Sequence, residues 1–213
     1  MTKILLIPII AMTILLCFSV QDAHATSQTF TVNTTITTSE TIAATETWVV
    51  NTGVILTIDP GVTIIVDNGG TINNIGFVYN RGILTNSGTI NNISDGGINS
   101  GVISNFGGIL TNSGTINNCS NCGISISFGG SFTNSDTLIN YGIINIGYDA
   151  ILTNSSTLIN NGAIDNGGGT ITNTGSIKIS KGGAVNNNGT IHNCGKITGK
   201  IKNLYAGTID KVC

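Results

Sequence analysis

The sequence is poor in charged, proline and aromatic residues. Only 8% of its 213 residues are charged, with 8 basic and 10 acidic side chains and a formal net charge of −2. Because nucleic-acid binding depends on clustered lysine and arginine, this composition argues against a nucleic-acid partner. The hydrophobic share of 40% is too high, and the net charge too small, for a disordered chain. The scarcity of ionisable side chains also leaves little material for catalysis.

Residues 1–25 are predicted to form a secretory signal peptide. Lys3 supplies the positive start, the stretch from Ile4 to Leu16 is mostly apolar, and Ala23-His24-Ala25 fits an A-x-A cleavage site. The apolar stretch is shorter than the roughly 20 residues that a transmembrane helix needs. No later segment is long and apolar enough to cross a membrane, so we expect a secreted or cell-surface protein without a transmembrane segment in the mature chain.

Internal repeats dominate the rest of the sequence. The stretch from Gly82 to Asn92 recurs almost unchanged from Gly108 to Asn118. Its unit is an aliphatic residue, then polar residues, then Asn or Gly, repeated about every six residues. Ile98 is counted as one of these aliphatic positions. Every third aliphatic position forms a column with a spacing of about 20 residues, which fits one coil of a three-sided β-helix. The column comprises Ile72, Ile90, Leu110, Phe132, Leu152, Ile171 and Ile191.

These spacings predict an all-β fold, a single right-handed three-sided parallel β-helix (solenoid) with about 20 residues per coil. Residues 49–213 are predicted to form the solenoid with a C-terminal disulfide staple, and the Thr-rich residues 26–48 to form an N-terminal cap or arm. Asparagines two positions after each column residue are expected to stack in one hydrogen-bonded ladder. They are Asn74, Asn92, Asn112, Asn134, Asn154, Asn173 and Asn193.

Four cysteines follow the signal peptide, an even number that suits an oxidising compartment. Cys194 and Cys213 lie close to one coil apart, so we expect them to stack within disulfide range. Cys119 and Cys122 form a C-x-x-C motif, for which a local disulfide is the favoured interpretation and an intermolecular link the alternative. Zinc would need two more ligands, and Cys194 lies about four coils away, so no metal or other cofactor is predicted.

Enzymes that use β-helices, such as pectate-lyase-like proteins, need clustered acids or a base beside a metal. After the signal peptide the chain has one histidine, His192, and one arginine, Arg81, and its coil aspartates are well spread. No phosphate-binding loop, H-E-x-x-H motif or nucleophile elbow occurs. The sequence therefore predicts a non-catalytic protein, and a carbohydrate-active β-helix enzyme, a polysaccharide lyase or hydrolase, is the alternative.

Threonines flank the predicted column on its outward side. They resemble the T-x-T array of ice-binding solenoids, interrupted here by Asn, Ile and His, which makes ice binding a third hypothesis. The candidate binding face comprises Thr71, Thr89, Thr111, Thr133, Thr153, Thr170, Thr172 and Thr190.

Sequons for N-glycosylation are frequent in this Asn- and Thr-rich chain. They begin at Asn33, Asn92, Asn118, Asn154 and Asn188. We expect Asn92 and Asn154 to lie in the inward ladder, where a glycan could not be added after folding.

The repeat unit from Leu84 to Asn92, together with the segment from Gly53 to Thr63, resembles secreted right-handed β-helix proteins of microbial surfaces. These include adhesin-like and filamentous-haemagglutinin-like repeat proteins and small archaeal surface proteins. The resemblance covers residues 49–200 and implies an exported structural or adhesive role, but it carries no set of functional residues. The implied partners are a cell-surface or matrix glycan, or further copies of the chain.

Overall fold

Each recurrence of the aliphatic unit marks one short strand of a continuous coil. The computed structural model describes residues 24–97 and 100–211, in which there are 28 strands, most of them four residues long, and no helix. Consecutive strands pass to sheet 1, sheet 2 and sheet 3 in turn, and each strand pairs in parallel with its counterparts in the neighbouring coils. The result is a parallel β-solenoid with three sheets and about nine turns of roughly 20 residues, which confirms the predicted fold class.

Sheet 1 has ten strands and the other two sheets have nine each. Sheet 1 consists of β1 (His24–Ala25), β4 (Glu40–Ile42), β7 (Thr63–Val66), β10 (Ile83–Asn86), β13 (Ile109–Asn112), β16 (Ser131–Asn134), β19 (Ile151–Asn154), β22 (Thr170–Asn173), β25 (Thr190–Asn193) and β28 (Thr208–Asp210). Sheet 2 consists of β2 (Gln28–Phe30), β5 (Thr47–Val50), β8 (Thr71–Asn74), β11 (Thr89–Asn92), β14 (Thr115–Asn118), β17 (Thr137–Asn140), β20 (Thr157–Asn160), β23 (Ser176–Ile179) and β26 (Lys196–Thr198). Sheet 3 consists of β3 (Thr34–Ile36), β6 (Ile55–Ile58), β9 (Phe77–Asn80), β12 (Val102–Phe106), β15 (Gly123–Ser127), β18 (Ile143–Ile146), β21 (Ala163–Asn166), β24 (Ala184–Asn187) and β27 (Lys202–Asn203).

The second and fourth residues of the four-residue strands fill the interior. In β11 the side chains of Ile90 and Asn92 are buried, whereas the first and third residues of the strand are only partly buried. This alternation is the two-residue period of a β-strand with one face on the core. Trp48 and Phe132 are the largest fully buried side chains. Because many inward positions are asparagine, 16 of the buried residues are polar beside 34 hydrophobic ones, and these polar groups must be hydrogen-bonded.

The inward asparagines form hydrogen-bonded ladders along the axis, at the end of the strands of each sheet. In sheet 2, Asn74 Nδ2 donates to Asn92 Oδ1 at 2.7 Å, and Asn92 Nδ2 donates to Asn118 Oδ1 at 2.9 Å. Asn92 also donates to the backbone carbonyl of Gly123 at 2.9 Å, so the ladder satisfies corner carbonyls as well. The ladders comprise Asn86, Asn112, Asn134, Asn154, Asn173 and Asn193 in sheet 1; Asn74, Asn92, Asn118, Asn140 and Asn160 in sheet 2; and Asn80 with Asn105, and Asn166, Asn187 and Asn203, in sheet 3.

Each ladder begins above an aliphatic residue of the preceding coil. Asn74 pairs in register with Val50, and its buried Oδ1 has no hydrogen-bond donor. The ladder N–H groups all point toward the C-terminal end, so the first oxygen of a ladder has no amide below it. The other first members are Asn80 above Ile58, Asn86 above Val66 and Asn166 above Ile146.

The prediction of a single aliphatic column and a single asparagine ladder is wrong, because extra residues in one coil shift the register. Ile90 pairs with Ile72 in sheet 2, whereas Leu110 pairs with Phe132 in sheet 1. The shift arises because Asn92 stacks on Asn118, 26 residues later, so this coil is the longest and holds extra residues at 93–101. Ile98, which the spacing counted as an inward residue, lies with Asn99 outside the described residues.

The two ends of the chain extend the same coil pattern. Residues 26–48, predicted as a cap or arm, carry β2, β3 and β4 and lead into β5, so they form the first full coil. The predicted signal peptide lies outside the described residues up to position 23, and its last two residues form β1, which pairs with β4. Cys194 is disulfide-bonded, and Cys213, its predicted partner, lies outside the described residues. Within the described ranges we find no helix with the length and hydropathy of a membrane span.

Candidate functional site

The outward face of sheet 1 combines hydroxyl groups with aliphatic side chains. Its third strand position is threonine in five consecutive coils, and its first position presents Ile109 and Ile151, which are 46% and 45% exposed. No outward strand position from β7 to β22 of this sheet carries a charge. The face therefore repeats the same uncharged chemistry in the five coils from β10 to β22. The five threonines are Thr85, Thr111, Thr133, Thr153 and Thr172.

Sheet 2 carries a second threonine column, at the first strand position of six consecutive coils. Beside it, Asn91 Nδ2 donates to Asn73 Oδ1 at 3.0 Å and Asn117 Nδ2 donates to Asn91 Oδ1 at 2.9 Å. Part of the hydrogen-bonding capacity of this face is therefore used within the sheet itself. The column comprises Thr47, Thr71, Thr89, Thr115, Thr137 and Thr157.

The eight threonines predicted to form one binding face are divided between these two sheets. Thr71 and Thr89 lie on sheet 2. The other six lie on sheet 1, namely Thr111, Thr133, Thr153, Thr170, Thr172 and Thr190. The division arises in the longest coil. A step of about 20 residues along the chain leads there from a strand of sheet 2 to a strand of sheet 1. The predicted face left out Thr85 of the sheet 1 column and Thr47, Thr115, Thr137 and Thr157 of the sheet 2 column.

Aromatic side chains cluster on the outward side of sheet 3, a feature that the sequence analysis missed. The ring centroids of Phe77 and Tyr79 are 6.3 Å apart, those of Tyr79 and Phe106 are 5.5 Å apart, and those of Phe106 and Phe128 are 4.1 Å apart. We name these four residues the aromatic ridge. Phe106, Phe128 and Tyr148 recur at about the spacing of one coil, a signal in the sequence that could have revealed the cluster.

The ridge ends in a cleft at the corner between sheets 3 and 1, which we name the corner cleft. Its volume is about 680 Å³. Phe128 and Tyr148 occupy equivalent turns of two successive coils, and they are 73% and 76% exposed. The turns are closed by hydrogen bonds from Gly130 N–H to the Ser127 carbonyl at 2.9 Å and from Ala150 N–H to the Gly147 carbonyl at 3.2 Å. The lining residues are Ser127, Phe128, Gly129, Gly147, Tyr148 and Asp149.

Hydrogen bonds to the carboxyl group of Asp95 shift its acidity. The hydroxyl of Ser100, the backbone N–H of Gly97 and the hydroxyl of Thr52 donate hydrogen bonds to it and lower its pKa to about 2. A carboxyl group with this pKa stays ionised at neutral pH, so it is unsuited to act as a general acid. The hydrogen bond from Thr52, at 2.7 Å, ties the loop of the longest coil to the preceding turn, which is a structural role.

His192 and the cysteines do not assemble a metal centre in the part of the chain that the structure describes. His192 Nδ1 lies 2.6 Å from Asp210 Oδ1, on adjacent strands of sheet 1. No group of three or more His, Cys, Asp or Glu residues that could hold a metal ion occurs within residues 24–97 and 100–211. Cys119 and Cys122 form a local disulfide at the corner between β14 and β15.

The glycosylation sequons fall into two classes by exposure. Asn33 and Asn188 are exposed. Asn92, Asn118 and Asn154 are buried in the ladders, so modification of these three would require the coils to open. The inward positions predicted for Asn92 and Asn154 are those found in the structure, and Asn118 lies inside as well.

Comparison with known proteins identifies no family. No protein-family model matches the sequence, and no curated protein matches it. Among solved structures, the crystal structure of the TibC-catalyzed hyper-glycosylated TibA55-350 fragment is 18% identical and covers 87% of this chain and 90% of that chain. The TM-score of this comparison is 0.17, so it carries no argument about fold or function.

Proposed function

We propose that this protein is an exported, non-catalytic adhesive protein that binds an extended cell-surface or matrix glycan along the outward face of sheet 1. The observation that carries the proposal is the uncharged array in which five threonines follow one another coil by coil beside exposed isoleucines. Strand neighbours lie about 4.8 Å apart, so a linear polymer lying along the axis would meet the same groups at each step. Threonine hydroxyls both donate and accept hydrogen bonds, as sugar hydroxyls do.

The interior of the solenoid supports this role because a repeating surface must hold its spacing. The asparagine ladders tie successive coils together through side chains as well as through the parallel sheets. A surface that is already ordered loses little conformational entropy when a ligand binds. Sheet 1 is therefore suited to bind a polymer through many weak, repeated contacts.

The proposed location outside the cell is supported by the chain's own features. Residues 1–25 have the pattern of a secretory signal. The disulfide between Cys119 and Cys122 suits an oxidising compartment. The resemblance of the repeat to secreted surface proteins points in the same direction.

Retention on insoluble polysaccharides tests this proposal with a matched pair of variants. Thr133→Lys places a charge in the middle of the sheet 1 column, and Thr115→Lys makes the same change on sheet 2. We expect the purified protein to bind at least one of a panel of neutral polysaccharides such as cellulose and chitin without releasing soluble sugar. Since a buried ammonium group at the interface is costly to desolvate, Thr133→Lys should weaken binding by about tenfold or more, and Thr115→Lys by less than about twofold.

Three results would contradict the proposal. Release of reducing ends or unsaturated products would show an enzyme. Absence of retention on every polysaccharide, with thermal hysteresis in ice-growth measurements, would assign the threonine columns to ice instead. Loss of binding in Thr115→Lys but not in Thr133→Lys would place the binding face on sheet 2.

A further inference from the structure

We propose that the corner cleft is a saccharide-binding site in which Phe128 and Tyr148 stack against one sugar ring of a neutral glycan. The inference rests on the proposed function and names a particular site within it. The cleft borders the sheet 1 face directly, because the turn at Phe128 leads into β16 and the turn at Tyr148 leads into β19. A glycan on sheet 1 would therefore pass along the mouth of the cleft.

The two aromatic rings are held in place from behind while the cleft between them stays open. Phe128 packs on Phe106 of the aromatic ridge, with ring centroids 4.1 Å apart. Tyr148 lies against the next coil at Gly168, where a Cβ atom would stand 3.4 Å from Cδ2 of the tyrosine ring. Rings that are supported on one side and exposed on the other bind a ligand without a large loss of side-chain entropy.

The backbone of the cleft is strained at Phe128, one of the two aromatic residues that carry its chemistry. Phe128 has a φ of 53°, in the left-handed region that disfavours most side chains, and Asp149 has a φ of 58°, which aspartate adopts more readily. At the corresponding corner of three other coils glycine holds the left-handed position, with a φ of 82° at Gly61, 67° at Gly107 and 132° at Gly168, whereas Tyr205 has a φ of 28°. A bulky aromatic residue held in a strained turn points to a functional site, because the backbone conformation alone would favour glycine there.

The chemistry of the lining matches a sugar ring without charge. The apolar C–H face of a pyranose ring packs on aromatic faces. The phenol of Tyr148 and the carboxylate of Asp149 provide hydrogen-bonding groups for the hydroxyls of the sugar ring. Asp149 is the one charged residue in this lining, and the chain has a net charge of −2. An anionic polysaccharide would therefore be repelled, so the cleft selects a neutral glycan.

Calorimetric titration with neutral hexasaccharides of glucose, N-acetylglucosamine and mannose, and with an anionic hexagalacturonate, tests the inference. Phe128→Asn removes the ring with a residue that tolerates the left-handed backbone. Tyr148→Ala removes the second ring, Tyr148→Phe retains it, and Tyr141→Ala removes an exposed tyrosine from another corner. We expect about tenfold weaker binding of a neutral hexasaccharide for Phe128→Asn and for Tyr148→Ala, and changes below about twofold for Tyr148→Phe and Tyr141→Ala.

The outcomes separate this site from the wider proposal. Unchanged binding in both ring-removal variants would refute the cleft while leaving glycan binding by sheet 1 intact. Preference for hexagalacturonate over every neutral sugar would also refute it. If ring removal instead changes only the sedimentation of the purified protein, the cleft joins copies of the chain and the saccharide assignment is wrong. Circular dichroism melting of each variant establishes whether it folds. If Phe128→Asn does not fold, the binding affinity of Tyr148→Ala tests the inference.

Discussion

Replacing Asn118 with aspartate is expected to destabilise the protein by about 3 to 5 kcal/mol, because it places an uncompensated charge in the core. Asn118 is fully buried, and its Nδ2 donates to Asn140 Oδ1 at 2.7 Å and to the Ile143 carbonyl at 3.3 Å. An aspartate at this position has no N–H group, so its oxygens would face those acceptors directly. Only the hydrogen bond from Asn92 Nδ2, at 2.9 Å, would remain favourable.

The adjacent residue provides the control for this substitution. Asn117 belongs to the same strand, β14, but it lies on the outward side and donates to Asn91 Oδ1 at 2.9 Å. Asn117→Asp makes the same chemical change in contact with solvent, so we expect a loss within about 1 kcal/mol. Chemical denaturation at neutral pH measures both variants. Equal losses in Asn117→Asp and Asn118→Asp would mean that the inward ladder is not a buried structural element.

Replacing Gly162 with alanine is expected to lower the free energy of unfolding by about 3 kcal/mol or more, at the upper end of the losses caused by overpacking. A Cβ atom on Gly162 would lie 2.1 Å from the carbonyl oxygen of Gly142 and 2.6 Å from that of Tyr141. Both are backbone atoms of the preceding coil, so no side chain can turn away to make room. The change therefore forces two coils apart at the corner between sheets 2 and 3.

Gly53→Ala separates this steric effect from the conformational preference of glycine. Gly53 has a φ of 75°, and nothing lies within 4 Å of a Cβ atom placed on it. Alanine there is expected to lower the free energy of unfolding by roughly 1 to 2 kcal/mol, because only its left-handed backbone is unfavourable. Thermal and denaturant unfolding of the two variants should rank Gly162→Ala as clearly less stable. The reverse order would contradict the close approach of the coils.

The sequence was sufficient to predict the architecture because the repeat encodes it directly. An aliphatic residue every six or so positions can be buried on one side of a short strand, and three such strands close a coil. Phe132, Leu152 and Ile171 stack in one sheet as the spacing predicted. The asparagines were correctly placed inside, since β-strand alternation gives them the same direction as the aliphatic residue two positions earlier.

The register was not predictable from spacing alone. Ile98 was counted as an aliphatic position because its residue type fits the repeat, and this count put Leu110 in the same column as Ile90. The error moved Thr71 and Thr89 onto the same predicted face as Thr111 and Thr133, which the structure places on another sheet. The number of residues between stacked partners reveals the shift, but it is known only once the hydrogen-bonded partners, such as Asn92 and Asn118, have been identified.

The candidate saccharide site was missed for a different physical reason. Its residues follow the strands of sheet 3, at turn positions such as Phe128 and Tyr148, and they belong neither to the inward columns nor to the threonines beside them. Their contact with each other depends on which coil corners coincide, and so on the register. The backbone strain at Phe128 is likewise a property of the folded turn.

The dependence of binding affinity on ligand length tests the central claim most directly. A glycan that lies along sheet 1 contacts one more coil with each step, so the repeated contacts should add. For neutral oligosaccharides of one series, from disaccharide to hexasaccharide, we predict that the Kd falls by about tenfold or more while the ligand is recovered intact. Equal affinity for the shortest and the longest member, or recovery of cleaved sugar, would contradict an adhesive solenoid with a repeating binding face.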